Sequence, residues 1–365
     1  MGLCEFFKNK IEKFKKICLP FKKSENKDIA ETKTDTDTRP CKRPFEYFEI
    51  QKDGDVYPCP REFLKYKTSA GNIGRHSFNE IWNGKILTDL RKKMINGDFS
   101  MCDRTGGCIY EPYTDGMIPE GYEKGPKELK ICYDYECNNN CITCRDMIKI
   151  NTPEEMELYD EVYLPKVLEI AKNSETVSLS LSGEPLFARH SKHLIQELMN
   201  KYPNIKFNLF TNGMLLNEEY LTKLGIRNNI NGLSVSVDAA TRETYKQIHR
   251  QDAFDTVVKN LELMSDWKKQ CKINWITINF VVHLLNYKEM VDFVKMAQKF
   301  DVVAYFSPYR LWNSGEFSHR YNEVAVFEPS NKHYDEFTKV LHNPVLGDIK
   351  HCYIEPCLLQ NIMNN

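Results

Sequence analysis

The chain has almost no net charge: 50 lysines and arginines stand against 51 aspartates and glutamates in 365 residues, a formal charge of −1. No global field therefore recruits nucleic acid, and none is expected as a partner. Long apolar runs are missing too. Nothing approaches the roughly 20 consecutive apolar residues that span a bilayer, and no leading apolar signal segment is present. No repeat of solenoid length occurs. Thirteen cysteines, an odd and unevenly clustered number, do not suit a secreted disulfide scaffold. They point to a reducing, cytoplasmic compartment in which thiols bind metal. The protein is expected to be soluble, or at most peripheral to a membrane.

Residues 1–40 read as a basic amphipathic segment followed by a flexible linker. Leu3, Phe7, Ile11, Phe14, Cys18 and Phe21 recur on one helical face, with seven lysines against two glutamates within 1–23. Such a segment can make weak contact with an anionic membrane surface, dock on its own protein or fray. Phe6 stands where a myristoylation signal after Met1-Gly2 needs Ser or Thr. The linker, 24–40, is rich in Ser, Thr, Asp, Glu and Lys. Residues 41–125 form a small cysteine-bearing module punctuated by turns at Lys52-Asp53-Gly54-Asp55, Gly71-Asn72, Asn96-Gly97 and Gly106-Gly107. A core follows over 126–310, then a C-terminal extension over 311–365.

Within the core, strands are predicted at 128–135, 176–181, 205–210, 232–237, 273–282 and 302–307. Helical patterns fall between them, near 153–172, 190–201, 217–225, 253–270 and 287–300. Six strand-then-helix units with Val-, Ile-, Leu- and Phe-rich strands predict an α/β fold with a parallel sheet and right-handed crossovers. Six units fall short of the eight of a closed barrel. The expected architecture is a partial (β/α)6 TIM-like barrel with a small N-terminal module.

Cys137, Cys141 and Cys144 lie within eight positions, directly after the first of these strands. Three thiolates can hold three irons of a four-iron cluster and leave the fourth without a protein ligand, whereas structural zinc wants four ligands. Alone, the trio leaves open a cluster, zinc or loop cysteines. Polar, glycine-bearing loops follow the next strands: Ser182-Gly183-Glu184-Pro185, Thr211-Asn212-Gly213 and Ser236-Val237-Asp238. Loops at carboxyl ends of strands build the active site in β/α folds. Glycine lets backbone approach a ligand closely, and a carboxylate beside it binds an ammonium group. Cys4, Cys18, Cys132 and Cys271 read as small apolar packing residues. His249, His283 and His351 read as structural histidines, and Arg250 as either a carboxylate partner or an exposed helix arginine.

Residues 127–310 resemble the radical SAM superfamily through the C-x3-C-x2-C trio, the Gly183-Glu184 loop and the stretch Ser-Val-Asp-Ala-Ala-Thr-Arg-Glu-Thr-Tyr-Lys-Gln-Ile-His-Arg over 236–250. The resemblance implies a 4Fe–4S cluster on Cys137, Cys141 and Cys144, chelated at its open iron by S-adenosylmethionine (SAM). It also implies Gly183 and Glu184 on the methionyl amino group and Ser236 and Asp238 near the ribose or carboxylate, with Asn286 a lesser candidate. Thr143 departs from the aromatic residue usual before the third cysteine, and Ser182 from the first glycine of Gly-Gly-Glu. The implied activity is reductive cleavage of SAM to a 5′-deoxyadenosyl radical, which takes hydrogen from a peptide or a small molecule such as a sugar. The outcome would be that of an oxidoreductase or an epimerase, with a reductase such as flavodoxin or ferredoxin as electron donor.

Region 41–125 resembles the SPASM/twitch auxiliary-cluster domain, through Asp53-Gly54-Asp55-Val56-Tyr57-Pro58-Cys59, Gly71-Asn72-Ile73 and Phe78-Asn79-Glu80-Ile81-Trp82-Asn83. That domain usually follows the barrel, and here it precedes it. The resemblance implies an auxiliary 4Fe–4S cluster on Cys41, Cys59, Cys102 and Cys108, with Cys352 and Cys357 as candidate substitute ligands and zinc as the competing metal. The competing function is a non-catalytic iron–sulfur or zinc-binding scaffold or electron carrier.

Overall fold

The structure, a computed structural model, describes residues 38–359 apart from 104–107, 109, 115, 180–181 and 312–314. The amphipathic segment expected over 1–23, most of the linker, Cys4, Cys18 and the Gly106-Gly107 turn lie outside the described residues.

Three short strands begin the chain's sheet: β1 (Tyr47–Ile50), β2 (Asp55–Tyr57) and β3 (Gly71–Asn72). Six more follow as expected: β4 (Glu128–Ile131), β5 (Thr176–Leu179), β6 (Lys206–Thr211), β7 (Ile230–Ser236), β8 (Trp275–Val282) and β9 (Val303–Pro308). A further strand, β10 (Cys352–Ile354), joins β9 in parallel and was not predicted, because three residues carry too little pattern to read. All ten form one sheet in the order β10-β9-β8-β7-β6-β5-β4-β1-β2-β3. The module is therefore not hung on the barrel by a linker. Its strand β1 lies parallel to β4, with Glu49 opposite Lys130.

Helices Arg189–Lys201, Glu218–Lys223, Phe254–Lys269 and Met290–Phe300 fill the predicted crossovers. The first crossover runs through Pro153–Glu157, a π-helical stretch at Leu158–Tyr163 and Leu164–Ile170, and starts from a capping box between Thr152 and Glu155. An extra helix, Arg242–His249, capped by Thr241, stands between β7 and the following long helix.

Strand β8 explains how the sheet serves two environments. Ile276, Ile278, Phe280 and Val282 are buried against helices, while Thr277, Asn279 and Val281 alternate with them on the other face. That second face is a lumen. One cavity of about 270 Å³ takes Tyr47 from β1, Lys130 from β4, Ser178 from β5, Phe210 from β6, Ser234 from β7, Asn279 from β8 and Tyr305 from β9. Side chains from strands so far apart in the sheet meet only if it curls, so the chain forms the expected partial barrel. Among the described residues, no helix is long and apolar enough to cross a membrane.

Candidate functional site

The cysteine trio sits just past the carboxyl end of β4. Every sulfur in it faces an N–H donor. The Asn139 backbone N–H approaches the Cys137 sulfur at 3.4 Å. His249 Nδ1 lies 3.2 Å from Cys141 Sγ, and both Nε and Nη2 of Arg145 stand 3.4 Å from Cys144 Sγ. Burial pushes the Cys137 thiol up to about 12. Burial alone would depress His249, but the Cys141 sulfur and the Asp238 carboxylate outweigh it and hold the imidazolium well above its ordinary range. Cationic donors around sulfur favour thiolates, the form that ligates iron. Asn139, only 1% exposed, has neither side-chain amide atom hydrogen-bonded. A buried polar group left open inside the C-x3-C loop fits a site completed by a bound group.

The next loop is pressed against the trio. A Cβ at Gly183 would meet the backbone oxygens of Asp134 at 2.5 Å and Glu136 at 2.7 Å, so only glycine allows this approach. Glu184, 1% exposed, accepts from Thr211 Oγ1 at 2.8 Å, Leu186 N at 3.1 Å and Asn212 N at 2.6 Å. Burial raises its carboxyl to about 7 against the pull of those three donors. Among the described residues no cation pairs with this carboxylate, and an ammonium group would supply one. Asn212 in turn donates to Asn138 Oδ1 at 2.8 Å, tying the third loop back to the trio. These bonds bring together the trio's loop and the loops after β5 and β6.

Ser236 ends β7 and pairs in register with Asn279. Asp238 has a left-handed backbone, φ 59°, and its carboxylate accepts from Val281 N at 2.7 Å and lies 3.4 Å from His249 Nε2. Asn286, fully buried, donates to the backbone oxygens of Asp238 at 2.8 Å and Val281 at 2.9 Å. Asp238 and Asn286 thus tie the end of β7 to the end of β8. His249, set aside in the sequence reading, is placed directly on Cys141. The available signal was its four-residue spacing from Tyr245 on one helix face, where the two rings stack at 4.3 Å. Arg145 was also missed, although it follows the third cysteine immediately. Arg250 caps its helix and pairs with Glu316 at 2.6 Å. His283 is buried and pulled down to about 3 by burial, and His351 lies between Asp301 and Asp348.

Cys41, Cys59, Cys102 and Cys108 line one small cavity walled by Phe63, Leu64, Leu90, Met94 and Phe99. Burial raises the Cys41 and Cys59 thiols above their ordinary range. Cys59 follows β2, which runs antiparallel to β1, and Cys41 precedes β1, so these thiols mark the amino end of the barrel strands. The trio marks the opposite end. Cys352 lies within β10, paired with Ala304, and Cys357 approaches Glu355; neither lines the four-cysteine cavity. Among the described residues, no three His, Cys, Asp or Glu side chains are grouped tightly enough for a single metal ion. Four thiols around one cavity can hold a four-iron cluster, each sulfur on its own iron.

A family model described as the Radical SAM superfamily matches residues 135–297, and one described as an iron–sulfur cluster-binding domain, SPASM, matches 41–109. The chain is 27% identical over 199 residues to the GTP 3′,8-cyclase of Synechocystis sp., covering 53% of this chain and 58% of that protein. It is 30% identical over 184 residues to a probable GTP 3′,8-cyclase of Saccharolobus islandicus, covering 48% and 54%. The chain thus spans little more than half the length of these relatives. A solved structure, Streptococcus suis SuiB bound to S-adenosylmethionine, aligns at 13% identity over 84% of this chain and 71% of that one, with a TM-score of 0.43.

Proposed function

We infer the activity from this premise: the chain belongs to the radical SAM superfamily and carries a SPASM iron–sulfur domain ahead of its barrel. It acts as a SAM-dependent radical enzyme. Cys137, Cys141 and Cys144 hold a 4Fe–4S cluster, and Gly183 and Glu184 receive the methionyl amino group of SAM, with Ser236 at the edge of the ribose. When bound and reduced, cluster and SAM together supply a 5′-deoxyadenosyl radical able to take hydrogen from an unactivated carbon. The observation that carries this reading is Glu184: a buried carboxylate at about 7, held by three donors and paired with no cation among the described residues, one loop from three hydrogen-bonded sulfurs.

The protein's own share is position and exclusion of water. Gly183 lets the Glu184 loop close on Glu136. His249, braced by Asp238, and Arg145 each hold a donor on a sulfur. Cys41, Cys59, Cys102 and Cys108 hold an auxiliary cluster at the other end of the lumen. An acceptor placed there supports net oxidation over epimerisation, which would need a thiol to return hydrogen. A flavodoxin- or ferredoxin-type reductase would deliver the electron. A scaffold or electron carrier would have no use for Glu184.

The test is anaerobic reconstitution with iron and sulfide, followed by dithionite and SAM. Wild-type protein should yield 5′-deoxyadenosine and Cys141→Ala none. Fully loaded, reduced protein that leaves SAM intact would overturn the reading.

A further inference from the structure

The lumen cavity lies between the two cysteine sites. At its upper end, Ser236 pairs with Asn279 and Asn279 with Tyr305, and the latter two residues line the cavity. At its lower end, Arg43 lines both this cavity and the four-cysteine cavity. Arg43 is 3% exposed, and its Nε has no hydrogen-bond partner. A molecule held here stands under the candidate cofactor face with the auxiliary thiols behind it.

The charges of the lining rule on what that molecule is. Each cation already faces a carboxylate: Arg43 meets Glu111 at 2.9 Å and Lys130 meets Glu49 at 3.2 Å. At the mouth, Lys268 (3.0 Å), Lys350 (2.6 Å) and His351 (3.1 Å) all converge on Asp301. Glu128 adds another carboxyl to the lining, accepting from Ser178 Oγ at 3.1 Å. Arg43 and Lys130 each face a carboxylate of their own, and Lys268 and Lys350 share Asp301, with Asp348 beside them on His351 at 2.8 Å, so every cation among the described lining residues is already paired. A triphosphate entering here would desolvate several negative charges with nothing to compensate them.

Size and chemistry point the same way. About 270 Å³ falls just below the roughly 300–1,000 Å³ of sites for drug-sized ligands. Ser234 on β7 and Thr277 and Asn279 on the adjacent β8 put two hydroxyls and an amide on one wall, and Ser178 adds a hydroxyl from β5. The Trp275 ring lies so close over Gly232 that a Cβ there would come within 1.9 Å of it, which fixes an aromatic surface beside these groups. An aromatic face next to alternating donors and acceptors matches a ring that is apolar on its C–H face and polar at its hydroxyls.

We propose that this cavity binds a net-uncharged, polyhydroxylated molecule of monosaccharide size as the substrate, and excludes the nucleoside triphosphate named for the GTP cyclase relatives. The inference rests on the radical-enzyme reading and is tested so that the two fail separately. Calorimetric titration of the full-length, cluster-loaded protein would use glucose, N-acetylglucosamine, myo-inositol and GTP as probes. At least one neutral probe should bind saturably and GTP should give no saturable heat. With SAM and dithionite present, the binding probe, deuterated on carbon, should pass deuterium into 5′-deoxyadenosine and raise its formation at least tenfold. Thr277→Val and Asn279→Leu, checked for an unchanged circular dichroism spectrum, should weaken that binding at least tenfold. Saturable GTP binding, or no response to any neutral probe while uncoupled SAM cleavage proceeds, would overturn the substrate class. Loss of uncoupled cleavage from loaded wild-type protein would instead overturn the radical reading.

Discussion

The two cysteine sites share one set of strands and are built in opposite ways. At the carboxyl end, three thiols stand among hydrogen-bond donors, with Cys141 and Cys144 half-buried and a buried carboxylate one loop away. At the amino end, four thiols face a cavity walled mainly by apolar side chains, with Cys41 and Cys59 buried. As ligands, three thiols in a polar setting would leave a metal position and the means to bind a polar cofactor there, and four in an apolar box would close the metal off. Paired alanine variants should separate the two. Cys141→Ala should lose the iron of one cluster and all 5′-deoxyadenosine. Cys59→Ala should lose the iron of the other and keep uncoupled SAM cleavage. Iron analysis with anaerobic product assay checks both, and equal loss of cleavage in Cys59→Ala would erase the distinction.

The sites are joined by the pairing of β1 with β4, and its centre is a buried ion pair. Glu49 and Lys130 are 2% and 4% exposed and meet at 3.2 Å. Burial alone would raise the Glu49 carboxyl, but Lys130 and hydrogen bonds from Tyr47 and Gln51 outweigh it and hold it below its ordinary range. Lys130→Met strands that carboxylate, at a cost of about 3–5 kcal/mol. Urea denaturation at neutral pH should show the loss. A carboxylate with a depressed pKa stabilises above its unfolded pKa and stops doing so as pH falls through the folded one. The gap between Lys130→Met and wild type should therefore narrow below about pH 4.5, and Glu49→Gln in the same chain should recover much of it. Because the sheet is continuous, module and barrel should unfold in one transition.

Glu184 sharpens the contrast from the trio's side, since among the described residues the four-cysteine cavity has no carboxylate in its lining. An ammonium binds the ionised form, and burial holds this carboxyl near 7. SAM affinity should rise as pH climbs through about 7, then fall where the free amino group deprotonates, near 8. Glu184→Gln should weaken binding roughly tenfold to hundredfold, the worth of a hydrogen bond to a charged group, and should abolish the rising limb. Equilibrium dialysis with labelled SAM across this range is the measurement.

Much of this was legible in the sequence where the signal is local. Strands β4 to β9 announce themselves as β-branched and aromatic runs, and the polar loops are read from their ends. Pairings between distant segments were not. Nothing in Tyr47–Ile50 says that it lies beside β4, because four residues specify a strand but not a neighbour. The bonds that Asp238 makes were out of reach for a related reason, because a left-handed turn brings its carboxylate to Val281 and His249. His249 could be placed only once the short helix Arg242–His249 had been docked. The charge balance of the lumen was invisible until the curl of the sheet set each cation against its carboxylate.

The smallest predicted effect bears on what the donors at the trio do. A hydrogen bond to a thiolate sulfur stabilises the reduced cluster more than the oxidised one, because the reduced form carries more negative charge. His249→Phe keeps a ring that can stack on Tyr245 and removes the donor from Cys141. A net hydrogen bond of about 1 kcal/mol corresponds to roughly 40 mV for one electron, given about 59 mV per tenfold change. The potential of the trio's cluster should fall by that order, and His249→Gln, which restores an N–H, should recover part of it. An auxiliary cluster on the four-cysteine cavity would lie at the other end of the strands and should not move. EPR-monitored redox titration resolves the two. If His249→Phe shifted neither potential, the donors around the trio would only be packing its loop, and the contrast between the sites would reduce to the number of their thiols.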